Sequence, residues 1–311
     1  MTGIRPVILV PSGNISNSPK PEISVVIVTY NRCDSLREVL VSVAGQGGVS
    51  KEIIVIDNGS TDGTAQMVSS EFPEARLLRL PENLGPALGR NIGIVNANGE
   101  FLFFLDDDAL LADDSALSRI VSRLRGDDSI GVLVCHVRNA ETGQICNWPS
   151  PRKAPSEYAN KEFDILAFPE GVTAFRKEAL AHTGLYPGNF FRQAEGLDLA
   201  IRMVDAGYRI VYYPQVLALH KEFGRKAYSR QIAYFNVRNN LWIPWKYFPC
   251  PLAVVKTGLV LVRTLAVSVR HCGLFTWLAA VLDAGIKMPQ ILRERRVVGE
   301  LTIRRIKELN R

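Results

Sequence analysis

The run Phe101–Leu105 is wholly apolar and ends directly in three aspartates, Asp106, Asp107 and Asp108. Five apolar residues in succession predict a fully buried strand. Three adjacent carboxylates repel one another, and a surface turn would dilute that repulsion with neutral residues. A buried strand that delivers several oxygens to one point is instead typical of a site for a hard divalent cation. The run therefore predicts a metal or phosphate-handling site at the end of a core strand.

Apolar, β-branched segments alternate with segments of helical periodicity before this run. Strands are predicted at 23–29, 52–56 and 75–80, and helices after Asp34, around 64–70 and at 84–97. Alternation of this kind predicts a parallel α/β sheet, in which ligands bind beyond the carboxyl ends of the strands.

Polar residues follow three of the predicted strands at the point where each strand ends. They are Thr29-Tyr30-Asn31-Arg32, Asp57-Asn58-Gly59-Ser60 and Asp106-Asp107-Asp108. Because the carboxyl ends of parallel strands meet at one edge of a sheet, we expect the three loops to lie together. A single pocket of nucleotide size would account for their shared character. The Asp57-Asn58-Gly59 segment on its own also suits a plain turn, since Asn and Gly tolerate left-handed backbone.

These loops and two later motifs resemble the family 2 glycosyltransferases of the GT-A fold. The matching segments are Val28–Arg32, Val55–Thr64, Asn83-Leu84-Gly85 with Arg90–Gly93, Asp106–Asp108, and Glu195–Leu199 with Arg202. The resemblance covers residues 21–220, about two-thirds of the chain. It implies an α/β fold with a mostly parallel central sheet flanked by helices. The implied organisation is a flexible lead-in at 1–20, a catalytic domain at 21–222 and a helical C-terminal region at 223–311.

The resemblance also implies a site for a nucleoside-diphosphate sugar, with a UDP- or dTDP-sugar expected as donor. The residues that would bind this donor are Thr29, Asn31, Asp57, Arg90, Asp106 and Asp107. A carboxylate such as Asp57 accepts hydrogen bonds from a uracil or thymine ring, while Arg90 would reach the diphosphate. The sugar moved would be a hexose or deoxyhexose.

The aspartate triplet matches the D-x-D motif of that family. Asp106, Asp108 and His220 would ligate a divalent cation, Mn²⁺ or Mg²⁺, between the two phosphates of the donor. Oxygen ligands together with substrate phosphates suit both ions, and imidazole is acceptable to manganese. Such a cation neutralises the charge that develops on the departing nucleoside diphosphate.

The general base is the point at which the chain departs from the family pattern. Relatives commonly have two adjacent acidic residues here, whereas this chain has Glu195 followed by Gly196, with Asp198 two residues on. Residues three apart share a helix face, so either Glu195 or Asp198 could serve an inverting transfer to a hydroxyl. We predict Glu195 as the base and Asp198 as a residue that orients the acceptor or the helix. The alternative is a scaffold that binds nucleotide sugars and has lost its base.

Two other functions fit the sequence less well. A nucleotidyltransferase would need a Gly-rich, cationic phosphate loop after the first strand, and Tyr30–Asp34 is not one. Binding to nucleic acid would suit the basic tail but not a pocket of carboxylates, and no nucleic-acid motif is present.

The charge of the 311-residue chain is unevenly distributed. From Lys221 to Arg311 there are 17 Lys and Arg against 5 Asp and Glu, a net of +12, so the other 220 residues carry −6 of the total +6. Clustered Trp and Tyr at 234–248 and an apolar stretch at 252–269, interrupted by Lys256 and Arg263, suggest a helix lying on a membrane surface. The acceptor would then be a glycan or a lipid-linked glycan. The alternative is that these helices pack on the catalytic body with their charges in solvent.

The five cysteines are scattered, with no C-x-x-C spacing, which argues against a disulfide framework or a structural zinc site. The N-terminus has no secretory signal pattern. We therefore expect a cytoplasmic enzyme, peripheral on the cytoplasmic face of the membrane if the tail binds lipid.

Overall fold

The computed structural model describes residues 19–146, 148–150, 152–221, 229–271 and 273–310. The predicted lead-in at 1–20 lies outside the described residues except for its last two positions. Residues 222–228 also lie outside the described residues. They contain the predicted boundary between the two regions together with Arg225 and Lys226.

The order of elements follows the predicted alternation of strands and helices. The strands are β1 (Ile23–Thr29), β2 (Lys51–Asp57), β3 (Ala75–Arg79), β4 (Phe101–Leu105), β5 (Ala109–Leu111), β6 (Ile130–Asn139), β7 (Phe163–Asp164), β8 (Val172–Arg176) and β9 (Arg209–His220). The helices of the same part are α1 (Cys33–Ala44), α2 (Thr64–Glu71), α3 (Gly85–Asn96), α4 (Ala116–Arg125), α5 (Pro155–Tyr158), α6 (Lys177–Thr183) and α7 (Glu195–Asp205). Five further helices follow: α8 (Arg230–Tyr247), α9 (Cys250–His271), α10 (Leu274–Ile286), α11 (Met288–Arg293) and α12 (Glu300–Leu309).

One mixed sheet carries the fold, with the strand order β3-β2-β1-β4-β8-β6-β9-β5 and β7 paired to β9. Strands β1, β2, β3 and β4 are parallel, and β6 and β9 are parallel to each other. Strand β8 lies antiparallel between β4 and β6, so β6 and β9 run in the direction of β4. The predicted α/β fold is confirmed, with β5, β7 and β8 running against the main direction.

The sheet is covered by apolar side chains on both faces, as its uninterrupted apolar strands predict. On β1, Val26 packs into one core, while Val25 and Ile27 pack into the other. Alternate residues of a strand point to opposite faces, so each strand contributes to both cores. Each fully buried Val, Ile, Leu or Phe stabilises the fold by about 1.5–3 kcal/mol.

Helix α3 lies unusually close to β1. A Cβ atom added to Gly89 would meet the side chain of Val28, and one added to Gly93 would overlap Val26. The two glycines, four residues apart on one helix face, therefore let the helix backbone rest on the strand. This contact holds Arg90 beside the carboxyl end of β1.

Helix α8 packs on the α/β part of the chain. Trp242 and Tyr247 are each only 1% exposed, and the side-chain amide of Asn239 donates to the carbonyls of Phe190, Arg192 and Gln193. The prediction that the Trp and Tyr cluster lies at a membrane interface is therefore wrong for α8, because these rings form part of the core.

Helices α9 and α10 differ from α8 because they leave many large apolar side chains exposed. Val255, Val262, Phe275, Leu282 and Ile286 range from 59% to 89% exposed. Within α9, the span Cys250–Ser268 is long and apolar enough to cross a membrane by length and composition. Only 11% of the most apolar part of this span is buried, whereas a core helix of the same composition is mostly buried.

Candidate functional site

The loops after β1 and β2 are joined by hydrogen bonds at the carboxyl edge of the sheet. The amide of Asn58 donates to the carbonyl of Thr29 at 2.9 Å. The amide of Asn31 donates to Ser60 Oγ at 2.9 Å, and the amide of Thr61 donates to Asn31 Oδ1 at 2.8 Å. The predicted meeting of these loops is therefore present. The side chain of Asn31 itself helps to hold them together.

Asp57 lies at the floor of this edge and is fully buried. Its Oδ1 accepts from the amide of Ser60 at 2.8 Å, and the Nε atom of Arg79 lies 3.6 Å from Oδ2. Among the described residues no group donates a hydrogen bond to Oδ2. A buried carboxylate oxygen without a donor is unfavourable, so a ligand N–H would be well matched to it.

Strand pairing brings His220 to the aspartate triplet. His220, the last residue of β9, pairs with Ala109, and the amide of Lys221 donates to the carbonyl of Asp108 at 2.9 Å. His220 Nε2 lies 3.2 Å from Asp108 Oδ1 and 3.8 Å from Asp106 Oδ2. One ligand atom from each of the three residues lies within 4.8 Å of the others. Two carboxylates and an imidazole at this spacing fit a divalent cation.

The charges around the triplet are partly balanced by Arg32, whose Nη1 lies 3.0 Å from Asp108 Oδ2 and whose Nε lies 3.7 Å from Asp107 Oδ1. Burial raises the pKa of Asp107 to about 7 despite Arg32. Burial disfavours the charged forms of Asp106 and His220 too. Their mutual attraction outweighs burial only together with further charges, Arg90 and Arg32 for Asp106 and Asp108 for His220, so the pKa of Asp106 is lowered and that of His220 is raised. The site therefore favours the ionised carboxylate at Asp106.

Arg90 connects the triplet to the start of α7. Its guanidinium is 8% exposed, with Nη2 3.8 Å from Asp106 Oδ1 and Nη1 3.6 Å from Glu195 Oε1. It also lies over the ring of Tyr186, 5.8 Å from the centroid. One buried cation therefore lies between the predicted donor site and the predicted base.

Glu195 is 4% exposed, and its Oε2 accepts no hydrogen bond from the described residues. Burial, and then the negative charge of Glu170, raise the pKa of Glu195 to about 8, although Arg90 acts in the opposite direction. A buried carboxyl with a pKa near neutrality can accept a proton at working pH.

Glu170 is a site residue that the sequence reasoning missed. A Cβ atom on Gly196 would overlap the carboxylate of Glu170, and one on Gly171 would overlap that of Asp106. The loop before β8 thus brings a second carboxylate against the start of α7, where burial raises its pKa too. The one available signal was the glycine at 196, which leaves space for a carboxylate from elsewhere in the chain.

Asp198 does not share this site, although it lies one turn along α7. It is 1% exposed, and its Oδ1 accepts from Lys246 Nζ at 2.7 Å and from the Tyr247 hydroxyl at 2.8 Å. Its Oδ2 accepts from Arg202 Nη2 at 2.8 Å. Both oxygens are therefore engaged: Oδ1 joins α7 to α8, and Oδ2 pairs with Arg202 one turn along α7 itself.

The family model described as glycosyl transferase family 2 matches residues 24–184. Succinoglycan biosynthesis protein ExoO of Rhizobium meliloti is 35% identical over 160 residues, which are 51% of this chain and 44% of that protein. Poly-beta-1,6-N-acetyl-D-glucosamine synthase of Staphylococcus aureus is 27% identical over 219 residues, 64% of this chain and 52% of that protein. The chain thus spans about half the length of these two relatives.

Solved structures with the same fold cover most of the chain. Mannosyltransferase PcManGT from Pyrobaculum calidifontis, in complex with GDP-Man and Mn²⁺, gives a TM-score of 0.56 at 19% identity, covering 94% of this chain and 88% of that one. TarS 1-349 from S. aureus, in complex with UDP-GlcNAc, gives 0.60 at 20% identity, covering 88% of this chain and 84% of that one. At these identities the likeness establishes the GT-A fold.

Proposed function

Since the chain belongs to glycosyl transferase family 2, we propose that it moves a sugar from a nucleoside diphosphate to a hydroxyl of a glycan or lipid-linked acceptor, with inversion. The observation that carries the proposal is the line of charged groups at one sheet edge. Two carboxylates and His220 form a cluster that fits a cation, and Arg90 connects that cluster to the buried carboxylate of Glu195.

The donor occupies the edge formed by the first two strands. Asp57 Oδ2 accepts from the ring N–H of the base, which favours a UDP- or dTDP-sugar because uracil and thymine both present an imide N–H. Thr29 and Asn31 line the same edge, while Asp106 and Asp107 face the ribose or the phosphates. Arg90 is close enough to Asp106 to meet a diphosphate held there.

Asp106, Asp108 and His220 would hold the divalent cation, manganese or magnesium. When bound, it supplies positive charge that stabilises the leaving diphosphate. Arg90 and Arg32 add fixed positive charge at the same edge, and both are mostly shielded from water. Charge in such a position stabilises a developing anion more strongly than charge in bulk water.

Glu195 accepts the proton of the acceptor hydroxyl. The oxygen of that hydroxyl forms a bond to the anomeric carbon from the face opposite the diphosphate. The bond between that carbon and the phosphate oxygen breaks, and its electron pair leaves with the nucleoside diphosphate. Burial raises the pKa of Glu195, and the negative charge of Glu170, which lies against Gly196, raises it further. The alternative of a nucleotide-sugar-binding scaffold arose because Gly196 stands where relatives commonly have an acidic residue. Glu170 supplies a carboxylate beside Gly196, so the glycine alone does not favour that alternative.

The exposed apolar side chains of α9 and α10 support a peripheral position on the cytoplasmic face of the membrane. Val254, Val255, Leu259 and Val262 of α9 are 58% to 72% exposed, and Phe275 of α10 is 89% exposed. The C-terminal region that carries them has a net charge of +12. Apolar area combined with positive charge favours the surface of an anionic bilayer.

The test is release of nucleoside diphosphate from a panel of UDP-, dTDP- and GDP-sugars, with and without Mn²⁺, by the full chain. We expect metal-dependent release from one donor class, and loss of release in Glu195→Gln with nucleotide binding retained. The anomeric configuration of the product, read by NMR, should be opposite to that of the donor. Nucleotide binding without release in the presence of candidate acceptors would favour the scaffold alternative, and a retained configuration would exclude inversion.

A further inference from the structure

The chain reaches Glu195 through a turn of unusual backbone geometry, residues 190–194. In the part of the chain that the structure describes, four residues other than glycine have a positive φ. Three of them, Phe191, Gln193 and Ala194, lie within the four residues before Glu195. A side chain makes this region of φ unfavourable, so such residues persist only where their surroundings hold them, and they are common at functional sites. The 190–194 turn is therefore strained, and contacts from elsewhere in the fold must hold it.

Two residues of the 190–194 turn show the strain most clearly. Phe191 has a φ of 63° and a ψ of −64°, and the amide of Arg192 donates across it to the carbonyl of Phe190 at 2.7 Å. This is the γ-turn of the rare, strained hand. Ala194 is the N-cap of α7, with a φ of 62° and a ψ of 3°, whereas an N-cap residue usually has extended backbone and a side-chain oxygen that caps the helix. The local sequence therefore does not stabilise this entry into α7.

Helix α8 holds the 190–194 turn through the side-chain amide of Asn239, which is fully buried. Its Nδ2 atom donates to the carbonyls of Phe190, Arg192 and Gln193 at 3.0, 2.8 and 2.7 Å. Its Oδ1 atom accepts from Arg238 Nε at 2.9 Å, so the two ends of the amide have different partners. An amide suits this place because it combines two N–H donors with an acceptor. A carboxylate of the same shape would instead turn an acceptor oxygen toward the three carbonyls.

Arg238 fixes the orientation of that amide and contacts the turn itself. It is 5% exposed, and its Nη2 atom donates to the carbonyl of Phe190 at 3.1 Å. Its guanidinium lies 4.4 Å from the ring centroid of Trp242, and Nη1 lies 3.5 Å from Asp283 Oδ2. These contacts hold the guanidinium in one orientation, and with it the hydrogen bond to Asn239.

The other side of the 190–194 turn rests on α3, the helix that carries Arg90. A Cβ atom on Gly85 would lie 2.7 Å from the ring of Phe191 and 2.8 Å from its carbonyl oxygen. The amide of Ala87 donates to the same carbonyl at 3.4 Å. The turn is thus held between α3 and α8, and it ends at Glu195. Its position sets the separation of Arg90 Nη1 from Glu195 Oε1, which is 3.6 Å.

We propose that Asn239, oriented by Arg238, is a positioning residue for sugar transfer, and that it holds the strained 190–194 turn so that the carboxylate of Glu195 meets the acceptor hydroxyl. The proposal rests on the proposed transferase function, in which Glu195 is the base. A displacement of about 1 Å at a reacting group can lower a rate by about 10²-fold. Turnover therefore depends on α8, although the residues assigned to the donor all precede that helix.

The test begins with Asn239→Asp, which keeps the shape of the side chain and replaces its N–H donors by an acceptor oxygen. We expect kcat to fall by about tenfold to hundredfold with the donor that the unmodified chain uses. The affinity for the corresponding nucleoside diphosphate in Mn²⁺, measured by calorimetry, should stay within about threefold, because the residues that bind the donor are unchanged. Asn240→Asp is the matched control, since the Asn240 amide donates to Asn236 within α8, and kcat should stay within about twofold.

A double-mutant cycle separates positioning of Glu195 from a general structural role. In a Glu195→Gln background, Asn239→Asp should lower kcat by less than about threefold, because both changes act on one group and are not additive. An equal loss in both backgrounds, or an unchanged kcat in Asn239→Asp alone, would overturn the proposal.

If circular dichroism shows that Asn239→Asp does not fold, the cycle is measured with Arg238→Lys, which keeps the charge and loses the planar fork that orients the amide. We expect about a tenfold fall in kcat for that variant alone and the same loss of additivity with Glu195→Gln. Full turnover in Glu195→Gln would refute the proposed base, and with it any positioning of that base. Equal losses in both backgrounds, with turnover strongly lowered by Glu195→Gln itself, refute the positioning role alone.

Discussion

Replacing Asp198 by asparagine distinguishes the role of Asp198 from that of Glu195, three residues before it on α7. Asp198 is 1% exposed and accepts from Lys246, Tyr247 and Arg202, so its charge holds α7 to α8. Removing one partner of a buried ion pair costs about 3–5 kcal/mol because the other charge is left buried. Here the remaining charges keep some compensation, since Lys246 also lies 3.5 Å from Glu294 and asparagine retains one acceptor oxygen. We therefore expect the lower end, about 3 kcal/mol.

A loss of that size should lower the melting temperature by about 6–12 °C, given about 2–4 °C per kcal/mol for chains somewhat shorter than this one. Thermal unfolding followed by far-UV circular dichroism measures it, and turnover is compared at a temperature where both proteins are folded. Asp205→Asn is the matched control on the same helix. Asp205 is half-buried and accepts one hydrogen bond, from Thr302 Oγ1 at 2.8 Å, and asparagine retains an acceptor oxygen, so the change should cost at most about 1 kcal/mol.

The folded Asp198→Asn protein should keep turnover within a few-fold of the unmodified chain. An unchanged melting temperature together with a loss of turnover by a hundredfold or more, at about the scale of a lost general base, would refute this account. It would mean that Asp198, and not Glu195, accepts the proton.

Three further predictions concern the same region and the tail. Glu195→Gln should lower kcat by about 10²–10⁴-fold with nucleotide affinity unchanged in a binding titration, as expected when a general base is lost. The log of kcat/KM should rise with pH up to about 8, because Glu195 acts only when deprotonated. Glu170→Gln should move the midpoint of this pH profile to lower pH, because it removes a negative charge beside Glu195. A midpoint that does not move would exclude electrostatic coupling between Glu170 and Glu195. Val255→Glu with Val262→Glu should weaken co-sedimentation with anionic vesicles by about tenfold or more, because apolar area is lost and negative charge is added. Unchanged co-sedimentation would favour the alternative that α9 and α10 only pack on the rest of the protein, with their charges in solvent.

The meeting of the loops after β1, β2 and β4 could be predicted from the sequence because their polar residues lie directly after apolar strands. Asp57 and Asp106 end or follow buried strands, and the parallel pairing of β1, β2 and β4 brings those ends together. His220 could also be identified as a candidate from the sequence, since it ends an apolar segment. Its position beside the aspartate triplet depends on the antiparallel pairing of β9 with β5. Strand direction of that kind does not follow from apolar pattern alone.

The surroundings of Glu195 and Asp198 could not be predicted, since their contacts join parts of the chain that are distant in sequence. Glu170 follows no recognisable motif, and its place depends on the space that Gly196 leaves. The role of Asp198 depends on Lys246 and Tyr247, nearly fifty residues away along the chain. Likewise the aromatic residues of α8 have the composition of a membrane interface, but Trp242 is buried by tertiary packing that composition does not reveal.

The most direct test of the central claim is a thermal-shift panel of UDP, dTDP, GDP and CDP with and without Mn²⁺, on the unmodified chain and on Asp108→Ala. A ligand at a hundredfold excess over its Kd stabilises the native state by about 2.7 kcal/mol, which is readily measured. We predict a shift with UDP or dTDP that requires Mn²⁺ and disappears in Asp108→Ala. No shift with any nucleotide, or a shift that is independent of both the metal and Asp108, would contradict the site assigned to the carboxyl edge of the sheet.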